Sequence, residues 1–250
     1  MKSNFKIIGA AAIVVTTVLL TGNAIAVGAA DYVYVPAVSY GEREIDFKSG
    51  SIKKSGERPE SAASIGFGYG VTDYWFTEVY GKYKRAEGNG TAFDAFEWEN
   101  KFQLTQPGQY PIDVGFITEI ERPQDHSEGY EVKFGPLLQT EFGKTQLNLN
   151  VLFQRNYRAA AANAMRAGYQ WQVKYRWMPV FEFGAQGFGD VGNWNRIAPR
   201  SEQTHLIGPA VFGKIALGGR HAIRYNAAYL VGVSDTRHGN WLRTQVEYEF

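Results

Sequence analysis

The chain has 250 residues with 26 Lys or Arg against 25 Asp or Glu, a balance without the basic footprint that nucleic-acid binding needs. It has no cysteine, and its 4 histidines form no cluster with metal-ligand spacing, so no disulfide, metal or other cofactor is expected to hold the fold. Aromatic residues make up 15% of a chain whose mean hydropathy is −0.30, which excludes a bundle of membrane helices.

The first segment reads as a targeting signal. Lys2 and Lys6 give a positive start, residues 7–20 are uninterruptedly apolar or small, and Ala24-Ile25-Ala26 has the small-x-small pattern of a cleavage site. The run is too short for a stable spanning helix, and no charge follows it to stop transfer. Cleavage is expected after Ala26, although Ala29 or Ala30 would also fit. The expected organisation is a signal peptide at 1–26 and a single domain at 27–250.

From there the period is two almost throughout, which places successive side chains on opposite faces of a strand. Strand segments are expected near 38–49, 61–71, 74–86, 91–104, 110–122, 128–141, 145–155, 167–178, 180–190, 204–217, 220–232 and 240–250. In the second, Ile65, Phe67, Tyr69 and Val71 alternate with Ser64, Gly66, Gly68 and Gly70. In the fourth, Phe96, Trp98, Phe102 and Leu104 alternate with Glu97, Glu99, Lys101 and Gln103. The eighth is the cleanest: Tyr169, Trp171, Val173, Tyr175 and Trp177 oppose Gln170, Gln172, Lys174 and Arg176. Segments of about 11 residues tilted near 40° span roughly 25–30 Å, the height of a lipid-facing band. Trp75, Trp98, Trp171, Trp177 and Trp241 are expected in interfacial aromatic girdles or on the lipid face.

The connections alternate strictly between tight and long. Turn-forming residues mark Val71-Thr72-Asp73-Tyr74, Gln106-Pro107-Gly108-Gln109, Gly143-Lys144, Met178-Pro179 and Gly218-Gly219. Longer polar links fall at 50–60, 86–90, 123–127, 156–166, 191–203 and 233–239. This describes an all-β, antiparallel, up-and-down transmembrane β-barrel of about 12 strands, with both mature termini on the periplasmic side. In the 156–166 link, Ala159 to Ala164 suggest a short helical turn, with Arg155, Arg158 and Arg166 read first as ordinary solvated loop charge and, alternatively, as contacts to lipopolysaccharide phosphates.

The last segment must close the barrel against the first, because an open strand edge in lipid leaves backbone groups unpaired. Leu242, Thr244, Val246, Tyr248 and Phe250 fall on one face and Arg243, Gln245, Glu247 and Glu249 on the other. A terminal Phe preceded by alternating apolar positions resembles the insertion signal of Gram-negative outer-membrane barrel proteins. That resemblance implies that Leu242, Val246, Tyr248 and Phe250 are read by the barrel assembly machinery, and that outer-membrane lipid and lipopolysaccharide surround the mature chain. The Tyr69-Gly70-Val71-Thr72-Asp73-Tyr74-Trp75 turn and the overall layout are also similar to uncharacterised exported barrels grouped with phenol-degradation pathway proteins.

With the apolar face in lipid, the polar face lines the lumen. Glu97, Glu99, Asp113, Glu119, Glu121 and Glu131 make its fourth to sixth segments acidic, tempered by Lys101 and Lys133. Lys174, Arg176, Lys214, Arg224 and Arg243 make the eighth to twelfth basic, tempered by Glu182, Glu247 and Glu249, while the first segment adds Glu42, Glu44 and Asp46. Twelve tilted strands enclose a backbone diameter of roughly 24 Å. Opposed walls of this kind would set a transverse field across a narrow aqueous pore and sort small solutes by charge. The alternative is a non-conducting scaffold, its charges paired across the lumen and filling it. A lipid-modifying hydrolase at the outer rim is a more distant alternative, drawing on His126, Ser127, Asp235 and His238. Neighbours on an extended chain point apart, so His126 and Ser127 are no ready-made base and nucleophile, and no enzyme is expected.

Overall fold

The computed structural model of the chain describes residues 28–54, 59–85, 90–233 and 239–250. The expected signal segment, Asp235 and His238 lie outside the described residues.

Thirteen strands form one antiparallel sheet: β1 (Arg43–Lys54), β2 (Glu60–Thr72), β3 (Trp75–Arg85), β4 (Thr91–Gln103), β5 (Asp113–Pro123), β6 (Tyr130–Phe142), β7 (Thr145–Tyr157), β8 (Arg166–Met178), β9 (Phe181–Asn193), β10 (Arg196–Ile197), β11 (Thr204–Gly218), β12 (His221–Gly232) and β13 (Gly239–Glu249). The two-residue β10 only extends β9 as a small hairpin, leaving twelve strands to build the wall. β13 pairs with β1 from Glu44↔Glu249 to Lys54↔Gly239, and β8 pairs with β9, so the sheet closes into a barrel. Closure satisfies every strand edge internally, as a lipid environment demands. Both ends of the closing pair use the alternation legible in the sequence, since a slip of one residue would turn Arg243 and Glu249 outward.

Polarity is inverted relative to a water-soluble domain. Phe47, Phe67, Phe96 and Trp98 stand exposed on the outer face, Phe96 at 65%. Inward lie buried amides and carboxylates. An amide ladder crosses β6 to β9: Asn148 Nδ2 donates to Gln139 (2.9 Å), Gln172 Nε2 to Asn148 (3.0 Å) and Gln186 Nε2 to Gln172 (3.1 Å). Buried polar groups are stable only when so paired.

At one end of the barrel the connections β2–β3, β6–β7, β8–β9 and β11–β12 are tight; we call it the turn end, and the other the loop end. Gly143 at φ 59° and Gly218 and Gly219 at φ 103° and 60° supply the left-handed backbone that such turns require.

Three expectations are corrected. The first strand is Arg43–Lys54 rather than 38–49, because residues 28–42 are drawn into the lumen and only then turn into the wall. Trp241 is inward and 2% exposed, not in an aromatic girdle. Its neighbour Leu242 is 54% exposed, and alternation must put adjacent residues on opposite faces. The Ala159–Ala164 run forms no helix. Arg158 there adopts φ 58°, and Arg166 is tied to Asp190 at 2.9 and 2.5 Å within the wall.

Candidate functional site

The register gathers carboxylates into two rows across the inner wall. One runs through partnered positions Glu249, Glu44, Gly68, Glu78, Glu99 and Glu119 to Lys133. The row above it runs through Glu247, Asp46, Gly66, Tyr80, Glu97, Glu121 and Glu131. Like charges at directly opposite positions repel, so such rows need cations or donors between them. Lys82 bridges Glu97 (2.8 Å) and Glu121, and Lys133 reaches Glu119 at 2.8 Å. Lys48 lies 3.4 Å from Asp46, its ammonium 3.5 and 3.6 Å from the ring centres of Tyr32 and Tyr80.

The remaining donors come from residues 28–42, an inner segment that no periodicity in the wall announces. The Tyr32 hydroxyl donates to Glu99 at 2.6 Å and the Tyr34 hydroxyl to Glu119. Val38 N donates to Gln103 (2.8 Å), and Asn150 Nδ2 donates to the Tyr34 carbonyl (3.1 Å). Successive residues face opposite walls, as in a strand. Val33 packs among Ile52, Phe188, Leu206, Leu230 and Trp241, while Tyr34 packs among Ile117, Leu137 and Leu152. Inward glycines make the track: a Cβ on Gly50 would overlap the Ala29 carbonyl, and one on Gly70 the Ser39 carbonyl. At Gly115 a Cβ would sit 2.8 Å from Pro36.

The basic wall is paired with near neighbours rather than across the lumen. Lys174 meets Glu182 (3.2 Å), Arg176 meets Glu141 (2.5 Å), and Lys214 and Arg224 both meet Glu249, the first at 2.6 Å. Arg243, 3% exposed, donates to Gln186. Among the described residues, two chambers with charged linings lie inside the barrel. One, of about 220 Å³ toward the turn end, is lined by Glu42, Glu44, Lys101, Lys174 and Arg224 among others. The other, of about 230 Å³, is lined by Asp31, Lys82, Glu97, Glu121 and Lys133 among others. Tyr32 and Tyr34 border both and stand edge to face with ring centres 4.6 Å apart.

No protein-family model and no curated protein matches the chain. Among solved structures, an outer membrane channel from Pseudomonas putida F1 aligns over 88% of this chain and 99% of its own, at 11% identity and a TM-score of 0.58. The translocator domain of the autotransporter NalP from Neisseria meningitidis aligns over 85% and 89%, at 10% identity and a TM-score of 0.48. The Acinetobacter baumannii outer membrane protein Omp33 aligns over 84% and 98%, at 8% identity and a TM-score of 0.45. The fold is that of the outer-membrane β-barrels.

The expected lumen residues divide by position. Glu97, Glu99, Glu119, Glu121 and Glu131 share one wall around Lys82 and Lys133, whereas Arg243 lies buried on the far side against Phe188. Lys214, Arg224 and Arg176 cluster toward the turn end, the last two in ion pairs with Glu249 and Glu141. Of the residues on the terminal strand, Leu242, Val246 and Tyr248 are exposed at 54%, 44% and 36% on the outer face. The Phe250 amide donates to the Arg43 carbonyl at 2.9 Å, extending the seam by one bond.

The histidines stand apart from nucleophiles among the described residues. Ser127 donates through its hydroxyl (2.6 Å) and its amide (2.9 Å) to Asp125, not to His126. Those two bonds hold the Asp125 carboxyl below its ordinary range. His205 meets Tyr169 (2.8 Å) and Gln203 (2.7 Å), and His221 meets Tyr248 (3.0 Å). What the sequence reading missed is the inner segment. Its one signal was Tyr32-Val33-Tyr34-Val35-Pro36, an alternating run shortly after the expected cleavage site and outside any expected strand.

Proposed function

We propose that this chain is an outer-membrane channel for small polar solutes, exported by its signal peptide and acting by passive passage rather than catalysis. The turn end and both mature termini face the periplasm in this reading, and lipopolysaccharide contacts the loop end. Leu242, Val246, Tyr248 and Phe250 serve as the signal to the barrel assembly machinery. The supporting observation is the pair of chambers inside the barrel, about 220 and 230 Å³, both lined by charged side chains and both bordered by Tyr32 and Tyr34. The similarity of fold to a Pseudomonas putida channel agrees with this reading.

The test is conductance of the pure protein in planar bilayers. Discrete steps are expected, with ion preference shifting toward anions in Glu119→Gln and toward cations in Arg176→Gln. Absence of steps from correctly folded protein would overturn the channel and leave the scaffold reading.

A further inference from the structure

On the outer face, the loop end of β5–β7 carries two arginines among side chains that are otherwise apolar or aromatic. Arg122 follows the outward Ile120 by two residues, and Arg155 pairs with Val132, itself the partner of Ile120. Alternation therefore turns both arginines outward, while their neighbours Glu121 and Gln154 line the loop-end chamber. Each guanidinium lies against a tyrosine ring, Arg122 at 4.2 Å from the centre of Tyr130 and Arg155 at 5.3 Å from that of Tyr157. Tyr130 and Tyr157 are partners across β6 and β7 and are 37% and 42% exposed. Among the described residues neither arginine forms an ion pair, and Asp125 in the adjoining loop is taken by Ser127. The two loops above the patch are bonded to each other. Asn156 Nδ2 donates to the Glu128 carbonyl (3.1 Å) and the Ala160 amide to the Ser127 carbonyl (2.8 Å), while Arg122 Nη1 donates to the Gly129 carbonyl (3.2 Å). Gly129, at φ 75°, approaches so closely that a Cβ would overlap the Tyr157 carbonyl. Toward the barrel's middle the same face continues in Phe134, its ring centre 5.8 Å from Phe153 and 6.4 Å from Phe116.

We infer that this patch seats a phosphorylated lipid whose headgroup carries two phosphates, one on Arg122 and one on Arg155, with its acyl chains along Ile120 and the Phe134–Phe153 pair. A guanidinium is planar and offers paired donors that match two oxygens of one phosphate, and an aromatic ring under its face leaves that donor edge free. Adjacent strands lie about 4.8 Å apart, so β5 and β7 are separated by roughly 10 Å. Each guanidinium rests on its own tyrosine, which makes the pair two separate anchors and fits two phosphates better than one. Free phosphate would answer the charges but would leave the aromatic slope uncovered; a lipid answers both. The bonded loops hold the tyrosines and Arg122 in place before the lipid arrives, which lowers the ordering cost of binding. The inference rests on the orientation proposed above, which puts lipopolysaccharide at the loop end, and names the side chains that hold it. Only the register brings them together, since Arg122, Tyr130 and Arg155 belong to three different strands.

The experiment uses the full mature chain, refolded in uncharged detergent micelles without lipopolysaccharide and titrated with lipid, bound lipid being counted by native mass spectrometry. Lipid A with two phosphates is expected to saturate at one molecule per chain. Lipid A with one phosphate is expected to bind about tenfold more weakly, and phosphatidylglycerol more weakly again. Arg122→Gln and Arg155→Gln should each weaken binding of the two-phosphate lipid about tenfold, and the double variant about a hundredfold. Arg200→Gln, at an exposed arginine between β10 and β11, should leave it unchanged. No lipid retained by the wild-type chain would overturn the seat, as would equal binding by the double variant or equal affinity for the one- and two-phosphate forms. Displacement of the lipid by inorganic phosphate would show a phosphate site and overturn the lipid. Conductance of the same preparations reports the channel separately, so failure of either reading leaves the other measurable.

Discussion

The Tyr34 hydroxyl is the contact through which the inner segment can be tested most directly. Tyr34 is 5% exposed, its phenol donates to Glu119, and Glu119 keeps Lys133 at 2.8 Å when the phenol is removed. Tyr34→Phe therefore deletes one hydrogen bond to a charged acceptor without stranding the carboxylate. Such bonds contribute roughly 1.5–3 kcal/mol. The adjoining chamber of about 230 Å³ can supply a replacement water, which favours the lower end. The chain has no cysteine, so Val33→Cys places a single thiol at a position 7% exposed, next to Tyr34 on the segment. When opening is fast relative to labelling, the thiol modification rate tracks the open population. A loss of about 1.5 kcal/mol then raises that rate about tenfold, and about 3 kcal/mol raises it roughly 150-fold. Tyr110→Phe, at a tyrosine 57% exposed, is the control and should leave the rate unchanged. A change below about threefold in Tyr34→Phe would refute the claim that phenol-to-carboxylate bonds seat the segment.

Further outcomes follow from the same geometry. Gly50→Ala, measured in the same single-cysteine background, should also speed labelling, because its Cβ would occupy the space of the Ala29 carbonyl; unchanged labelling would mean that the first residues of the segment do not run along β1. Lys133→Met should cost about 3–5 kcal/mol in denaturant unfolding, since it removes the cation from Glu119 in a pair whose side chains are 10% and 3% exposed. A loss under about 1 kcal/mol would show that water or another cation replaces it. Phe250→Ala should slow assembly into membranes while leaving the unfolding free energy of assembled protein, from urea titration, within about 0.5 kcal/mol of wild type; equal assembly rates would remove Phe250 from the insertion signal.

The wall was legible because closure in lipid leaves the chain little choice. Alternation in Tyr169–Trp177 or Leu242–Tyr248 settles which face meets lipid, and the turn residues set where strands end. The same rule, applied consistently, would have turned Trp241 inward, since it neighbours Leu242. The inner segment was hidden for a physical reason. Tyr32, Val33 and Tyr34 alternate as a strand does, but they make no ladder with the wall. Their partners, Glu99, Glu119 and the Phe188–Trp241 patch, lie far away in sequence and are brought together only when the barrel closes. Inward apolar residues such as Ile117, Leu137 and Leu152 break the polar-in pattern, and in sequence they read as noise. In the barrel they are the bed for Tyr34.

This bed explains why the acidic wall is treated unequally along its length. Toward the loop end its carboxylates find lysines on the wall itself, Lys82 and Lys133. In the middle, Glu99 and Glu119 receive the two phenols. Toward the turn end the segment turns into the wall, and Glu78 Oε1 is buried there without a hydrogen-bond partner. At that end the row closes on cations of the opposite side of the seam, Lys214 and Arg224 on Glu249 and Arg224 also on Glu247. The inner segment thus completes the middle of the acidic wall, and the width of the passage depends on that one stretch of chain.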